Sequence, residues 1–375
     1  GGPAVKVLGG KIGGAVIPEE DFPGVSPSLA SPFVIGSSSG ARADSGFYVA
    51  PQAQVVAGKP VWRQVATMED HVEAAVALGS ELIILTSKGN PARTIAVRPL
   101  DSEGNPGPQR VIFSGKERLI LVDVRAGLDG VYVFATTDGA WRLFYAPDTR
   151  KPFREVRLPF EGAMFDQAAN PDGRGVSFSL TGWSTNMTGV TVYRGVARVT
   201  PIASQTWSGA AAVRAERVEA VSADGTKVPL VYLHGAKAGP GAPTLLEGYG
   251  GYGIDTAAPF YDRFGMGWLE HGGVLAYCGT RGGGERGRAW HEGGRGPNKP
   301  RAMEDLIACA EWLSANGIAP KRGPVAITAS MGGTLIPGAV LTKPAAFGGM
   351  VVRVGVINAT RIGHAENGSN QFQEI

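Results

Sequence analysis

The chain has 375 residues, too many for one small core and enough for two domains or one large α/β domain with an attachment. Hydrophobic residues make up 43% and charged residues 18%, which excludes a disordered or coiled-coil protein. With 36 Lys and Arg against 33 Asp and Glu, the formal charge of +3 leaves no electrostatic footprint for a nucleic-acid partner.

Gly (56) and Pro (26) are abundant without a three-residue period, so the chain turns often and is not collagen-like. The longest stretch that could suggest a membrane span, residues 325–342, carries no charge but contains Gly332, Gly333, Pro337 and Gly338. It reads as strand, sharp turn and helix start, so no membrane span is expected. Cys278 and Cys309 both sit in apolar surroundings and read as two buried free thiols. The first residues lack the charged and apolar regions of a secretory signal, which leaves cytoplasm and periplasm both open.

In chain order, FYVAPQ from Phe47 and VWRQVAT from Val61 come first, as part of a β unit. A clear repeat follows. ELIILTS from Glu81, VYVFATTDG from Val131 and VSFSLTG from Val176 are strand-like at offsets of 50 and 45. RTIAVRPL from Arg93, WRLFYAPD from Trp141 and GVTVYRG from Gly189 recur at 48 and 48. Paired strands with room for two more, at a period of about 40 to 50 residues, predict propeller blades. About four fit before residue 212, so residues 1–212 read as a partial β-propeller, incomplete on its N-terminal side.

From Val213 the texture changes. RVEAVSA, the turn Asp224-Gly225 and VPLVYLHG predict an antiparallel hairpin. TLLEGYG, GVLAYCGT, PVAITAS and GGMVVRVGVIN are short apolar runs suited to buried parallel strands. Between the second and third of these, Met303, Leu306, Ile307, Ala310 and Leu313 mark one helical face, with Pro300 before it and Gly317 as its C-terminal cap. Residues 213–375 therefore read as an open α/β sheet.

PVAITASMGG carries the chemistry. Ser330 stands between a strand and the helical run TLIPGAVL, with Gly332 and Gly333 behind it. A serine nucleophile on a strand-to-helix turn needs small neighbours, and the helix N-terminus offers N–H groups to a developing oxyanion. The usual G-x-S-x-G pattern has Thr328 in its first position here, a β-branched residue expected to crowd the turn. GYGGYG at 248–253 also satisfies a dinucleotide fingerprint, but no helical stripe opens after it. Its other use is to present the Tyr249 hydroxyl as a donor beside the nucleophile.

GYGGYG, then GGVLAYCGTRGGGERGRAWHEGGRGPNK, the amphipathic helix, SMGG and VRVGVIN, in this order, resemble the prolyl oligopeptidase family of serine peptidases. The resemblance implies a β-propeller followed by an α/β-hydrolase domain, with Ser330 as nucleophile. It further implies that the Met331 N–H and the Tyr249 hydroxyl are the oxyanion donors, that Tyr252 and Val356 line the pocket for the residue before the scissile bond, and that short peptides are the substrates. The family's proline-stacking tryptophan has no match, Glu366 falling near its place. His291 in AWHEGG matches a family histidine but precedes Ser330, so a structural role bonding the loop is expected. No histidine pair has metal-ligand spacing, and neither a metal nor a cofactor is expected. The sequons at Asn186, Asn358 and Asn367 read as chance matches.

After Ser330 there is no aspartate; the acids are Glu366 and Glu374, both following the one histidine, His364. The fold's order of serine, acid, histidine cannot be met. The simplest expectation is that these residues are an internal fragment of a longer peptidase, its hydrolase domain truncated before the acid and histidine and nearly inactive alone. The alternative of another class is a non-catalytic peptide-binding or scaffold protein on the same fold.

Overall fold

The computed structural model describes residues 4–40, 44–364, 368–372 and 374–375. A short hairpin, β1 (Lys11–Ile12) and β2 (Ala15–Val16), precedes four antiparallel sheets of four strands, each a meander with consecutive strands paired. The first holds β3 (Phe22–Ser26), β4 (Phe33–Ser39), β5 (Gly46–Pro51) and β6 (Arg63–Ala66), with the single-turn helix α1 (Gln52–Val56) between the last two. The second holds β7 (Val72–Leu78), β8 (Glu81–Thr86), β9 (Thr94–Pro99) and β10 (Arg110–Ser114). The third holds β11 (Ile120–Gly127), β12 (Gly130–Thr137), β13 (Ala140–Ala146) and β14 (Arg154–Glu155), and the fourth β15 (Ala163–Ala169), β16 (Val176–Thr181), β17 (Thr188–Tyr193) and β18 (Val196–Ala203).

These sheets stand side by side as blades, and strand periodicity shows how. Side chains of a strand alternate between faces. On β8, Leu82 and Ile84 pack with Phe33, Ile35 and Val49 of the first blade, whereas Ile83 and Leu85 pack with Leu121, Val131 and Val133 of the third. On β12, Tyr132 and Phe134 turn instead to Met164, Phe178 and Leu180 of the fourth. Both faces of a middle strand are buried, so it reads as an unbroken apolar run. The leading strands β3, β7, β11 and β15 line a shared cavity of about 560 Å³, with Val25, Ala75, Arg125 and Gln167 among its walls. The first blade has all four strands, two more than the sequence indicated. FPGVS and FVIGSSS are too rich in Gly, Ser and Pro to carry a strand signal.

The second body is one six-stranded sheet of β19 (Arg214–Val221), β20 (Lys227–His234), β21 (Thr244–Glu247), β22 (Val274–Cys278), β23 (Val325–Ala329) and β24 (Gly349–Arg353), in the order β19-β20-β22-β21-β23-β24. β19 and β20 form the expected hairpin; β21, β22, β23 and β24 run parallel to one another. Helices α2 (Arg263–Glu270), α3 (Arg288–Glu292), α4 (Lys299–Ala315) and α5 (Gly332–Thr342) complete it. The apolar face of α4 meets the sheet as its spacing predicts, with Leu306, Ala310 and Leu313 fully buried beside Leu246, Ala326 and Leu335. None of the helices among the described residues is long and apolar enough to cross a membrane.

Two features tie α4 to the strands. Arg281, just after β22, is buried and forks onto Asp305 of α4 through Nε and Nη2 (2.9 and 2.7 Å), while Nη1 reaches Asp224 in the β19–β20 turn (2.5 Å). A buried guanidinium is tolerated here because its donors are matched by carboxylates. The second is covalent: Cys278 at the end of β22 and Cys309 on α4 form a disulfide. This corrects the reading as free thiols. The error came from treating two cysteines in apolar sequence as independent, when strand end and helix face bring them together.

The blades and the sheet meet at Arg288, which pairs with Asp44 (Nη1–Oδ1 2.6 Å, Nη2–Oδ2 3.0 Å) and Ser87, while its backbone N–H donates to the Pro91 carbonyl (3.1 Å).

The disulfide gives a direct expectation. Denatured without reductant, the protein should take up no thiol-alkylating reagent, and after reduction two equivalents. Cys309→Ser should lower the unfolding free energy by about 2–4 kcal/mol, read from denaturant titration of the sheet. Alkylation of both cysteines in the unreduced protein would contradict the pairing.

Candidate active site

Ser330 lies between β23 and α5, at φ +52°, a left-handed conformation that a non-glycine residue adopts only under constraint. The constraint is visible in its backbone: its N–H donates to the Arg353 carbonyl (3.1 Å), and its own carbonyl accepts from Gly333 (3.0 Å) and Val356 (2.9 Å). Strand, helix start and the segment after β24 are thereby drawn to one point, and the serine side chain is left exposed. Only glycine fits behind it. A Cβ on Gly332 would lie 1.8 Å from Thr328 Oγ1, and one on Gly333 2.7 Å from the Val356 nitrogen.

Thr328 does not crowd the turn as its branched side chain suggested. It is buried, and its hydroxyl donates to the Gly248 carbonyl (2.8 Å), filling the space that Gly332 leaves open. The same bond ties β23 to the glycine-rich loop 248–253. From that loop Tyr249 comes next to Ser330, whose hydroxyl can bond to its phenol oxygen. Burial raises the Tyr249 phenol above its usual range, partly offset by this bond, so it is a neutral donor near pH 7. Met331, buried, begins the first turn of α5, where its N–H has no intrahelical acceptor. The two expected donors therefore converge on the serine.

Tyr252 and Val356 are also brought to this region. The Tyr252 ring stands 6.4 Å from that of Tyr249, and burial, then Tyr249 and Glu374, push its phenol up to about 12. Val356 is half-buried and touches Ser330 through the backbone bond already described. His291 lies in α3, buried, with Nε2 at 2.8 and 3.1 Å from the two carboxylate oxygens of Glu374. Among the described residues no histidine is hydrogen-bonded to Ser330. His364 is exposed, and Glu366 and Asn367 lie outside the described residues. Asn186 is buried with its amide donating to the Gln205 carbonyl (2.7 Å), a poor place for a glycan. Asn358 is exposed and its amide oxygen accepts from Thr360 (2.7 Å).

Sequence reasoning passed over two acids beneath the loop. Asp255 and Glu285 are buried and titrate together; Glu285 Oε1 accepts from Thr256 N–H and Asp255 Oδ1 from Ala257 N–H (both 2.9 Å), which leaves Oε2 and Oδ2 without another partner. Burial lifts Asp255 to about 6 and Glu285 well above the ordinary carboxyl range, the second raised further by the first. One proton is thus held between them. Among the described residues no group of three His, Cys, Asp or Glu side chains could hold a metal ion.

A strand-to-helix serine in a left-handed turn, with a neutral tyrosine and a helix N-terminus beside it, is the arrangement found at the strand-to-helix turn of α/β-hydrolase folds, here carried beside a bladed β domain. Residues 260–373 match the model described as the prolyl oligopeptidase family. That match agrees with the resemblance read from the motifs. The chain is 29% identical over 273 residues to a prolyl endopeptidase of Elizabethkingia miricola, a match covering 70% of this chain and 37% of that protein. It is 41% identical over 140 residues to a dual function macrocyclase-peptidase of Amanita bisporigera, covering 36% and 19%. A solved prolyl endopeptidase superposes with a TM-score of 0.83 at 23% identity over 95% of this chain and 52% of that one. Prolyl oligopeptidase B of Galerina marginata, bound to a 25mer macrocyclization substrate, gives 0.85 at 21% over 95% and 50%. The chain thus spans under two fifths of the first curated relative and about half of these solved chains.

The shared proton sets a pH expectation. Ordinary carboxyls release protons near 3.8 and 4.5, whereas folded Asp255 holds its own to about 6 and Glu285 beyond. The folded state therefore binds more protons from about pH 4 upward, and the pair's contribution is full below that and lost as pH rises through 6. Glu285→Gln keeps the acceptor for Thr256 and removes a titrating proton, so its stability relative to wild type should increase from pH 4 to pH 8. Urea midpoints at several pH values measure it; a gap that does not vary with pH would refute the shared proton.

Proposed function

We propose that the chain is part of a serine peptidase that hydrolyses short peptides through an acyl-enzyme on Ser330. On this reading residues 1–212 form the propeller portion and residues 213–375 the α/β-hydrolase portion. One observation carries it: Ser330 stands at φ +52° between β23 and α5, with Tyr249 of the glycine-rich loop beside it.

In the first step Ser330 Oγ bonds to the carbonyl carbon of the scissile peptide, the carbonyl π electrons move to its oxygen, and the Oγ proton passes to a general base. The new oxyanion is met by the Met331 N–H and the Tyr249 hydroxyl. Collapse expels the amine, which takes up a proton, and water then releases the acyl group by the same path. Tyr252 and Val356 flank this point and form the pocket for the residue before the scissile bond. The names of relatives support a peptide substrate: one matched structure holds a 25mer macrocyclization substrate. Among the described residues no histidine is hydrogen-bonded to Ser330, so on this reading the proton acceptor comes from outside them. The share of its relatives that the chain spans supports reading the blades and the sheet as part of a longer peptidase.

Three outcomes are expected. A fluorophosphonate probe should label the full gene product at Ser330, and Ser330→Ala should abolish labelling; an adduct elsewhere would sink the assignment. Tyr249→Phe should lower kcat by about ten- to a thousandfold with little change in KM, as for loss of one oxyanion donor. Expressed by itself, the 375-residue chain should hydrolyse peptides at near-background rates. Substantial Ser330-dependent turnover from that chain would show that its proton acceptor lies within it.

A further inference from the structure

Beneath the loop that carries Tyr249 lies a charged cluster that the reaction as described does not use. Glu374 is 1% exposed and His291 6%. The Glu374 carboxylate accepts from the Tyr252 backbone N–H (2.9 Å, to Oε2) and from His291 Nε2–H. Lys299, the first residue of α4, is buried too and donates from Nζ to the Gly250 carbonyl (2.8 Å). Two charged side chains therefore grip peptide groups of one short loop, one by a carbonyl and the other by an N–H two residues on.

The loop needs such a grip. Tyr252 is held at φ +55°, a strained conformation that a non-glycine residue keeps only when its surroundings impose it. The Tyr252 N–H, placed by that conformation, has the Glu374 carboxylate as its partner. Gly253, next along, is itself left-handed, and its Cα faces the His291 ring. The geometry also excludes a different role for the pair: His291 Nε2 is turned to Glu374, behind the loop, so this histidine is not presented to the nucleophile.

We infer that Glu374 is a positioning residue: with His291 and Lys299 it fixes loop 248–253 so that the Tyr249 hydroxyl stays in bonding reach of Ser330. It touches neither substrate nor reacting atoms. Burial alone would raise its carboxyl, but the bonds from His291 and Tyr252 and the charges of His291 and Lys299 hold it below the ordinary value, so the anion occupies the site. Burial lowers Lys299, opposed by Glu374. The remaining titratable groups against the cluster are the two phenols of Tyr249 and Tyr252, both neutral near pH 7.

The inference rests on Tyr249 being an oxyanion donor, and a double-mutant cycle separates the two. Peptide hydrolysis is measured for the full gene product as wild type, Glu374→Gln, Tyr249→Phe and both together. The glutamine amide has one acceptor oxygen for two donors, so the loop loosens. Glu374→Gln should lower kcat by about ten- to a hundredfold with KM within about threefold, and should add less than about threefold once Tyr249 is Phe. Full activity of Glu374→Gln, or losses that multiply in the double variant, would overturn the positioning role while leaving Tyr249 in place. An unchanged kcat for Tyr249→Phe would instead remove the oxyanion reading beneath it. If Glu374→Gln does not fold, Glu374→Asp, which keeps the charge on a shorter arm, carries the same cycle with a smaller loss and the same non-additivity.

Discussion

To present a side chain from the end of a buried strand, the backbone has to reverse into the following helix within a single residue, and Ser330 does this at φ +52°. Almost everything near the site follows from holding that one residue there. Three backbone hydrogen bonds pin its peptide groups to Arg353, Gly333 and Val356. The space left for them is so small that Gly332 and Gly333 cannot carry a Cβ. Thr328, which departs from the usual pattern, fits because its hydroxyl occupies the gap at Gly332 and finds an acceptor at Gly248. Strain at Ser330 is thus balanced by contacts that also place the loop carrying Tyr249.

Polar groups do much of this placing from inside the protein. Arg281 with Asp305, Glu374 with His291, and Asp255 with Glu285 are all largely buried, and each lies against a glycine-rich loop. Such loops bury little apolar surface and have many backbone conformations open to them, so a fixed shape needs directional bonds. Every buried charge here meets an opposite charge, a shared proton or a backbone group, the condition under which burying it is tolerable.

Much of this was legible in the sequence because it is periodic. The middle strands of the second to fourth blades recur as apolar runs at a regular offset, and the apolar face of α4 shows as helical spacing that meets the sheet as read. The strand–serine–glycine order and the tyrosine loop were equally plain, being local. What escaped lacked a local signature. β3 and β4 pair through backbone that Gly, Ser and Pro leave unmarked. The Cys278–Cys309 bond joins residues 31 apart that only the packing of helix on strand brings together. Glu374 meets the Tyr252 N–H across 122 positions, and a backbone donor leaves no trace in the residue type that bears it.

The two-faced strands of the blades have an effect on how the domain takes up change. Leu82 and Ile84 serve the seam on one side of β8, Ile83 and Leu85 the seam on the other, so adjacent codons address different boundaries. Substitution at one parity loosens the junction with the preceding blade and leaves the following one intact. Each junction can therefore drift in side-chain size independently of its neighbours, as long as the two walls of that junction change together. Blades joined in this way form a chain of pairwise fits, and the angle between any two can be retuned by evolution without rebuilding the rest.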